Sequence, residues 1–388
     1  MLQPEAIREQ RLPMRRSAAN RDNDPATLTV LFVTNCLTPY RQAMLDAWAA
    51  LARVAIDVVL TMRHGDTERG WGDTCVSGHG WHVIPNVGPR DIGKYYAVVL
   101  GGWDSPIDYW ISLIAQVRHV PVLVMIDGVA PSHVTEGCHG LKSVPKRWLV
   151  RRAATVLANG TIGRRYAESL GAPKGRVFNQ FLTVDIANWT WQSRSQRDAA
   201  RKEVRSQLNI GAHENLVLYV GRLAPEKRVT DLVRAVSLLS AHSAVLVVVG
   251  KGGEQAAVQD LAHQLGVHCI CPGSKTQQEL PAWYAAADVF ALPSSEPWGL
   301  VVQEAMLSPL PVVVSRDAGC CLDLVRDGVN GWTFDCGDIA GLATGLERSL
   351  TSPSPLAEAG FAIASDWNAV KAGASFADAL RMARAGQA

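Results

Sequence analysis

The sequence predicts an α/β protein built as two Rossmann-like domains facing across a cleft. Three observations lead there. The chain has 388 residues, enough for two sizeable cores. Short apolar runs alternate with stretches of helical period from Leu28 onward. One such stretch, Asp288 to Asn330, reads as strand, loop, helix and strand, a βαβ unit whose ligands sit beyond the strand ends.

Composition narrows the function classes. Hydrophobic residues make up 48% and charged residues 19% of the chain, as in ordinary globular proteins. A net charge of +2 gives no field that would gather nucleic acid. No apolar run is long enough to span a bilayer, and the first residues lack the apolar core of a secretory leader. Eight cysteines lie scattered without zinc or CxxC spacing, so reduced thiols and a cytoplasmic protein are expected.

Residues 1–26 are polar and turn-rich and are expected to be a disordered tail. They hold an Asp-x-Asp triplet, Asp22 and Asp24, which outside any strand is not expected to bind metal. Residues 27–187 form the first predicted domain. Its opening strand is Leu28 to Asn35, with Thr38 and Pro39 suited to start the next helix. Arg41 is either a phosphate contact or an exposed helix residue. Gly101 to Pro106, after the strand YYAVVL, is either an acceptor-pocket wall or a tight turn. The strand of residues 120–128 brings Asp127 to its end, with His133 shortly after as either a functional or an ordinary loop histidine. Residues 142–152, KSVPKRWLVRR, form a basic amphipathic helix that either rests on anionic lipid or is a solvated cover for the sheet.

Polar residues 188–197 lack periodicity and are expected to be the linker to a second domain at 198–355. The strand NLVLYVG leads into GRLAPEK, where Arg222 and Lys227 flank a strand end and a helix start. Two such cations suit a diphosphate. Gly250 follows the strand AVLVVVG in a glycine turn that lets a base or phosphate approach. The absence of a further glycine at Gln255 argues against a dinucleotide fingerprint. In the Asp288 to Asn330 unit, Glu296 lies in the loop and Glu304 in the helix. Gly299, Leu300 and Val301 open that helix, where free N–H groups and the positive dipole end favour an anion. Phosphates at the helix start with hydroxyls against carboxylates describe a nucleotide-sugar. Residues 356–388 are expected to be helices returning to the first domain.

E-P-W-G-L-V-V-Q-E, from Glu296 to Glu304, is similar to the Glu-x7-Glu motif of retaining glycosyltransferases of family 4, which have the GT-B fold. G-R-L-A-P-E-K resembles that family's diphosphate-holding motif. The resemblance implies that Glu296 contacts the transferred sugar, Glu304 the ribose, and Arg222 and Lys227 the diphosphate. It places Gly221, Gly250, Gly273 and Ser274 around the nucleotide, and Asp127 near the transfer centre where many relatives carry His or Glu. Pro309 stands where relatives have Gly. The implied activity is metal-independent, retaining transfer from a nucleotide-diphosphate sugar to a glycan, lipid-linked or small-molecule hydroxyl acceptor. The donor is a co-substrate, no other cofactor is implied, and no nucleic acid partner is expected. A cytoplasmic protein, with peripheral contact at the inner membrane face through 142–152, completes the expectation. A sugar-nucleotide 2-epimerase and a non-catalytic nucleotide-sugar-binding subunit are the alternatives.

Overall fold

The computed structural model describes residues 28–61, 77–103, 105–136, 140, 143–191, 193–239 and 244–386. The expected tail with Asp22 and Asp24, along with Asp104 and Lys142, lies outside the described residues. The chain forms two compact units. Unit 1 takes residues up to Val129, His133–Val184 and Asn368–Ala388; unit 2 takes Ala130–Ser132 and Asp185–Trp367.

Unit 1 is built on a sheet of β1 (Thr29–Thr34), β2 (Ala55–Leu60), β3 (Ser77–Gly78), β4 (Trp81–Val83), β5 (Ala97–Leu100), β6 (Val122–Ile126), β7 (Thr155–Ala158) and β8 (Val177–Asn179). Their order is β3-β4-β2-β1-β5-β6-β7-β8, parallel except where β3 meets β4. Strand side chains alternate between faces, and both faces are covered. Leu31 and Val33 of β1 pack with Ile111, Leu149 and Tyr166. Val30 and Phe32 pack on the other side with Met44, Trp48 and Phe376. Trp48 belongs to the helix Pro39–Ala52 and Phe376 to the last helix, Ala369–Ala385. Their rings stack with centroids 4.1 Å apart, so the end of the chain completes the core its beginning opened.

Unit 2 holds β9 (Asn215–Val220), β10 (Ala244–Val249), β11 (Cys269–Gly273), β12 (Val289–Leu292), β13 (Val312–Ser315) and β14 (Gly331–Phe334). The order β11-β10-β9-β12-β13-β14 is parallel throughout, with Phe290 facing Val312 and Leu218. The crossover point lies between β9 and β12, where ligand crevices form in open α/β sheets.

Two boundaries differ from expectation. Residues 188–197 contain the end of the helix Ile186–Trp189 and the start of the helix Arg194–Gln207. Ser193 caps the latter, and Arg201 and Arg205 fasten it to Asp288 rather than an apolar stripe doing so. The helix Pro353–Asp366 stays with unit 2, because Gln303 donates to the Ala364 and Trp367 carbonyls and Gly360 packs on Met306. Only the helix Ala369–Ala385 belongs to unit 1.

Candidate functional site

The site of unit 2 gathers at the ends of β9 and β12. After β9 the chain turns through Gly221 into a short 3-10 turn, Pro225–Lys227. After β12, residues 296–298 run beside residues 317–320. Glu296 N–H donates to the Asp317 carbonyl at 3.1 Å, and Gly319 N–H to the Glu296 carbonyl at 2.9 Å. The loop is therefore fixed by its main chain, and the Glu296 side chain has a defined origin. Lys227 Nζ donates to Glu296 Oε1, which also accepts from Ser294 Oγ at 3.2 Å. The Lys227 and Glu296 side chains are largely shielded from solvent.

The helix Leu300–Leu307 starts beside this pair. Gly299 caps it at φ +100°, a left-handed conformation that a side chain would strain, and no side chain caps its N–H groups. Leu300 and Val301 are half-buried at the open positive end of the dipole. Further along, residues Val302 to Leu307 are buried, Glu304 among them, so it is no solvated helix residue. Burial pushes the Glu304 carboxyl up to about 7, against the opposing pull of the Tyr284 hydroxyl, which donates to Oε2 at 2.7 Å. Tyr284 is held well above its ordinary range by burial first and the Glu304 carboxylate second, so it stays a donor. Trp189 packs edge-on against it.

Arg222 departs from the expected convergence. Its guanidinium pairs with Glu226 at 2.7 Å, both side chains half-exposed, while Lys227 alone reaches Glu296. Gly250 is also accounted for differently. At φ +147°, a Cβ there would lie 1.9 Å from the Gly221 carbonyl oxygen, and Gly221 N–H donates to the Val249 carbonyl at 3.0 Å. The missing side chain lets two loops close on each other, so ligand approach is not needed to explain it. Gly250 N–H in turn donates to the Gly273 carbonyl at 3.0 Å, tying down the end of β11, while Ser274 beyond it is exposed. Lys275 lies over the Trp283 ring at 4.6 Å.

Unit 1 carries a separate polar cluster at the ends of β1 and β6. Arg41 is buried and ion-pairs with Asp127 while donating to Thr34 Oγ1. Gln180 donates to the other Asp127 oxygen at 2.9 Å. Burial works most strongly against the Arg41 charge, but the Asp127 carboxylate together with Tyr40 and Cys36 turns the net shift upward. Arg41 is thus neither an exposed helix residue nor free for phosphate, and both Asp127 oxygens are engaged. His133 is exposed on the short helix Pro131–Glu136. Ser294, Tyr284 and Gln180 were not singled out from the sequence. Only Ser294, two residues before Glu296, stood close enough in the chain to be noticed.

Among the described residues, no group of three or more His, Cys, Asp or Glu side chains is placed to hold a metal ion. No described helix is long and apolar enough to cross a membrane.

Residues 200–360 match the family model of glycosyl transferases group 1. The matched residues all lie within unit 2. The chain is 33% identical over 270 residues to a D-inositol 3-phosphate glycosyltransferase of Thermomonospora curvata, covering 65% of this chain and 59% of that protein. It is 31% identical over 249 residues to the sulfoquinovosyl transferase SQD2 of Arabidopsis thaliana, covering 61% and 46%. The chain spans roughly half the length of these two relatives. Among solved structures, Alr3699/HepE of Anabaena in complex with UDP aligns over 91% of this chain and 100% of its own, with TM-score 0.71 at 20% identity. With two parallel-sheet α/β units, the chain has the GT-B fold.

Proposed function

We propose that the chain is a glycosyltransferase. It moves a sugar from a nucleotide-diphosphate donor to a hydroxyl acceptor, with retention at the anomeric carbon and without a metal ion. The observation carrying this reading is the meeting of Lys227 and Glu296 beside the uncapped start of the helix Leu300–Leu307. A fixed cation and a helix N-terminus suit a diphosphate, and an adjoining carboxylate suits sugar hydroxyls. The group 1 match over the same residues and the UDP held by the Anabaena neighbour support it.

In this reading the donor phosphates draw Lys227 away from Glu296, which then orients the transferred sugar. Lys227, Arg222 and the N–H groups of Leu300 and Val301 offset the charge that builds on the leaving diphosphate. The exposed Arg222–Glu226 pair is worth at most about 1 kcal/mol, so a phosphate displaces Glu226 easily. Glu304, steadied by Tyr284, accepts from the ribose hydroxyls. Backbone at Gly221, Gly250, Gly273 and Ser274 borders the nucleotide. The acceptor hydroxyl attacks the anomeric carbon on the face the diphosphate leaves, and a leaving phosphate oxygen takes its proton. Asp127, tied to Arg41 and Gln180, shapes the acceptor end of unit 1 without moving a proton. The acceptor is a glycan, a lipid-linked sugar or a small molecule.

A panel of UDP-, GDP- and dTDP-sugars, screened by melting shift and then by nucleotide release with and without EDTA, tests the reading. One donor is expected to raise the melting point and be consumed, EDTA notwithstanding, giving a product whose anomeric configuration matches the donor. An inverted product overturns retention, and loss of turnover with EDTA overturns metal independence. Donor interconversion without acceptor indicates a 2-epimerase. Binding without turnover indicates a non-catalytic subunit.

A further inference from the structure

In unit 1 the helices Pro106–Val117 and Val144–Arg152 border an open groove of about 620 Å³, lined by Tyr109, Trp110, Leu113, Val144, Pro145 and Trp148 along with Pro106. None of these residues takes part in the polar clusters described above. The helix Pro106–Val117 is inverted for a surface helix. Asp108 and Ser112 are buried beside Ile111 and Ala115, and Asp108 is occupied in capping, accepting from the Ser105 N–H at 3.3 Å. Outside lie Ile107, Trp110, Leu113 and Val117, with Trp110 62% and Val117 69% exposed. At about 100° per residue these four fall within one arc of roughly 120°, opposite the buried face. A contiguous exposed apolar stripe of this kind marks a contact surface.

The neighbouring helix supplies the charge. Val144–Arg152 carries Lys146, Arg147, Arg151 and Arg152 and no acidic residue. Among the described residues, the ion pairs of unit 1 involve none of these four cations. Arg152 lies over the ring of Trp148, a groove residue, and Arg151 beside it is exposed, whereas Lys146 lies over Trp103 outside the groove.

We propose that this face docks on the surface of an anionic lipid bilayer. Trp110, Leu113 and Val117 enter the boundary between headgroups and acyl chains, and the exposed Arg151 and Arg152 lie against lipid phosphates. Two other occupants fit less well. A second copy meeting this face isologously brings the arginines of both copies together, and the one carboxylate of the two helices, Asp108, is buried in a cap and does not offset them. A small apolar ligand in the groove leaves Ile107 and Val117 uncovered, since neither lines it. The proposal stands on unit 1 alone and does not depend on the glycosyltransferase reading.

Sedimentation of the full chain with vesicles tests it, with no nucleotide present. Vesicles of pure phosphatidylcholine are compared with equimolar phosphatidylcholine and phosphatidylglycerol, at low and high salt. The protein is expected to sediment with the anionic vesicles at low salt and to be released by high salt. Partitioning is expected to fall on the order of tenfold or more in Trp110→Ser/Leu113→Ser and in Arg151→Glu/Arg152→Glu. Unchanged melting temperature and circular dichroism in both variants separate lost docking from lost fold. Protein that stays in the supernatant with anionic vesicles at low salt overturns the proposal. So does vesicle binding undiminished by Trp110→Ser/Leu113→Ser, or self-association in sedimentation velocity that this variant abolishes.

Discussion

The Tyr284 hydroxyl donates to the Glu304 carboxylate at 2.7 Å in the interior of unit 2, where Glu304 holds its proton up to about pH 7. An unfolded glutamate ionises near 4.5, so between about 4.5 and about 7 the native state holds a proton that the unfolded chain has lost. Native stability from this group therefore declines as pH rises across that window and levels off above it. Urea unfolding midpoints across the window should show this slope, and Glu304→Gln should flatten it. Donor affinity is expected to move the other way, rising as pH passes about 7, because the ionised carboxylate is the better acceptor for ribose. Calorimetric titrations that give the same donor affinity on both sides of that pH would count against Glu304 as the ribose contact.

The Lys227–Glu296 pair separates binding from turnover. Lys227→Ala should weaken nucleoside diphosphate binding and lower turnover on the order of 100-fold or more. Glu296→Gln should also cut turnover, but by releasing Lys227 it should leave nucleoside diphosphate affinity unchanged or higher. Titration of both variants decides the matter; equal weakening in the two would show that Lys227 does not hold phosphate.

Arg222 and Glu226 should part company on mutation. Glu226→Ala is expected to change unfolding free energy by less than about 1 kcal/mol and to leave turnover intact, since the pair is exposed. Arg222→Ala should lower turnover at saturating donor on the order of 100-fold. Full activity in Arg222→Ala would confine Arg222 to the surface pair the structure shows.

Gly250→Ala forces a Cβ against the Gly221 carbonyl. A destabilisation of about 2 kcal/mol or more is expected, read as a lower melting temperature. Nucleotide affinity should fall with it, because the Gly221 and Gly273 loops are tied through this residue.

Phe376→Ala removes one ring of the stack on Trp48 from a fully buried site. A loss of about 3–5 kcal/mol is expected by chemical denaturation.

The strands most legible in the sequence were those buried on both faces. β1, β9, β12 and β13 are nearly unbroken apolar runs, and burial explains why. β3 and β4 are too short to show a period, and β14 carries half-buried Trp332 and Thr333 in place of an apolar run. The sequence RKEVRSQLNIG reads as a helix opening the second domain, but its first turns from Arg194 fell in the expected linker, because arginines hold the helix through Asp288 and main-chain carbonyls instead of an apolar stripe. At the site, Glu296, Glu304 and Lys227 could be picked out because a motif carries them. Tyr284 could not, since its meeting with Glu304 arises from the packing of two helices. Arg41 and Asp127 each drew attention, but the ion pair between the helix after β1 and the end of β6, two strands away, left no trace in the order of residues.

The helix Ala369–Ala385 has a consequence for biosynthesis. Unit 2 apart from Ala130–Ser132 is one continuous segment, whereas unit 1 needs a piece encoded after it. On the ribosome, the later-begun body can reach its final packing first. The surface of Met44, Trp48 and Phe32 stays bare of its last cover until Phe376 emerges. Nascent chains halted before that point should hold a sticky, chaperone-seeking N-terminal half beside a finished neighbour.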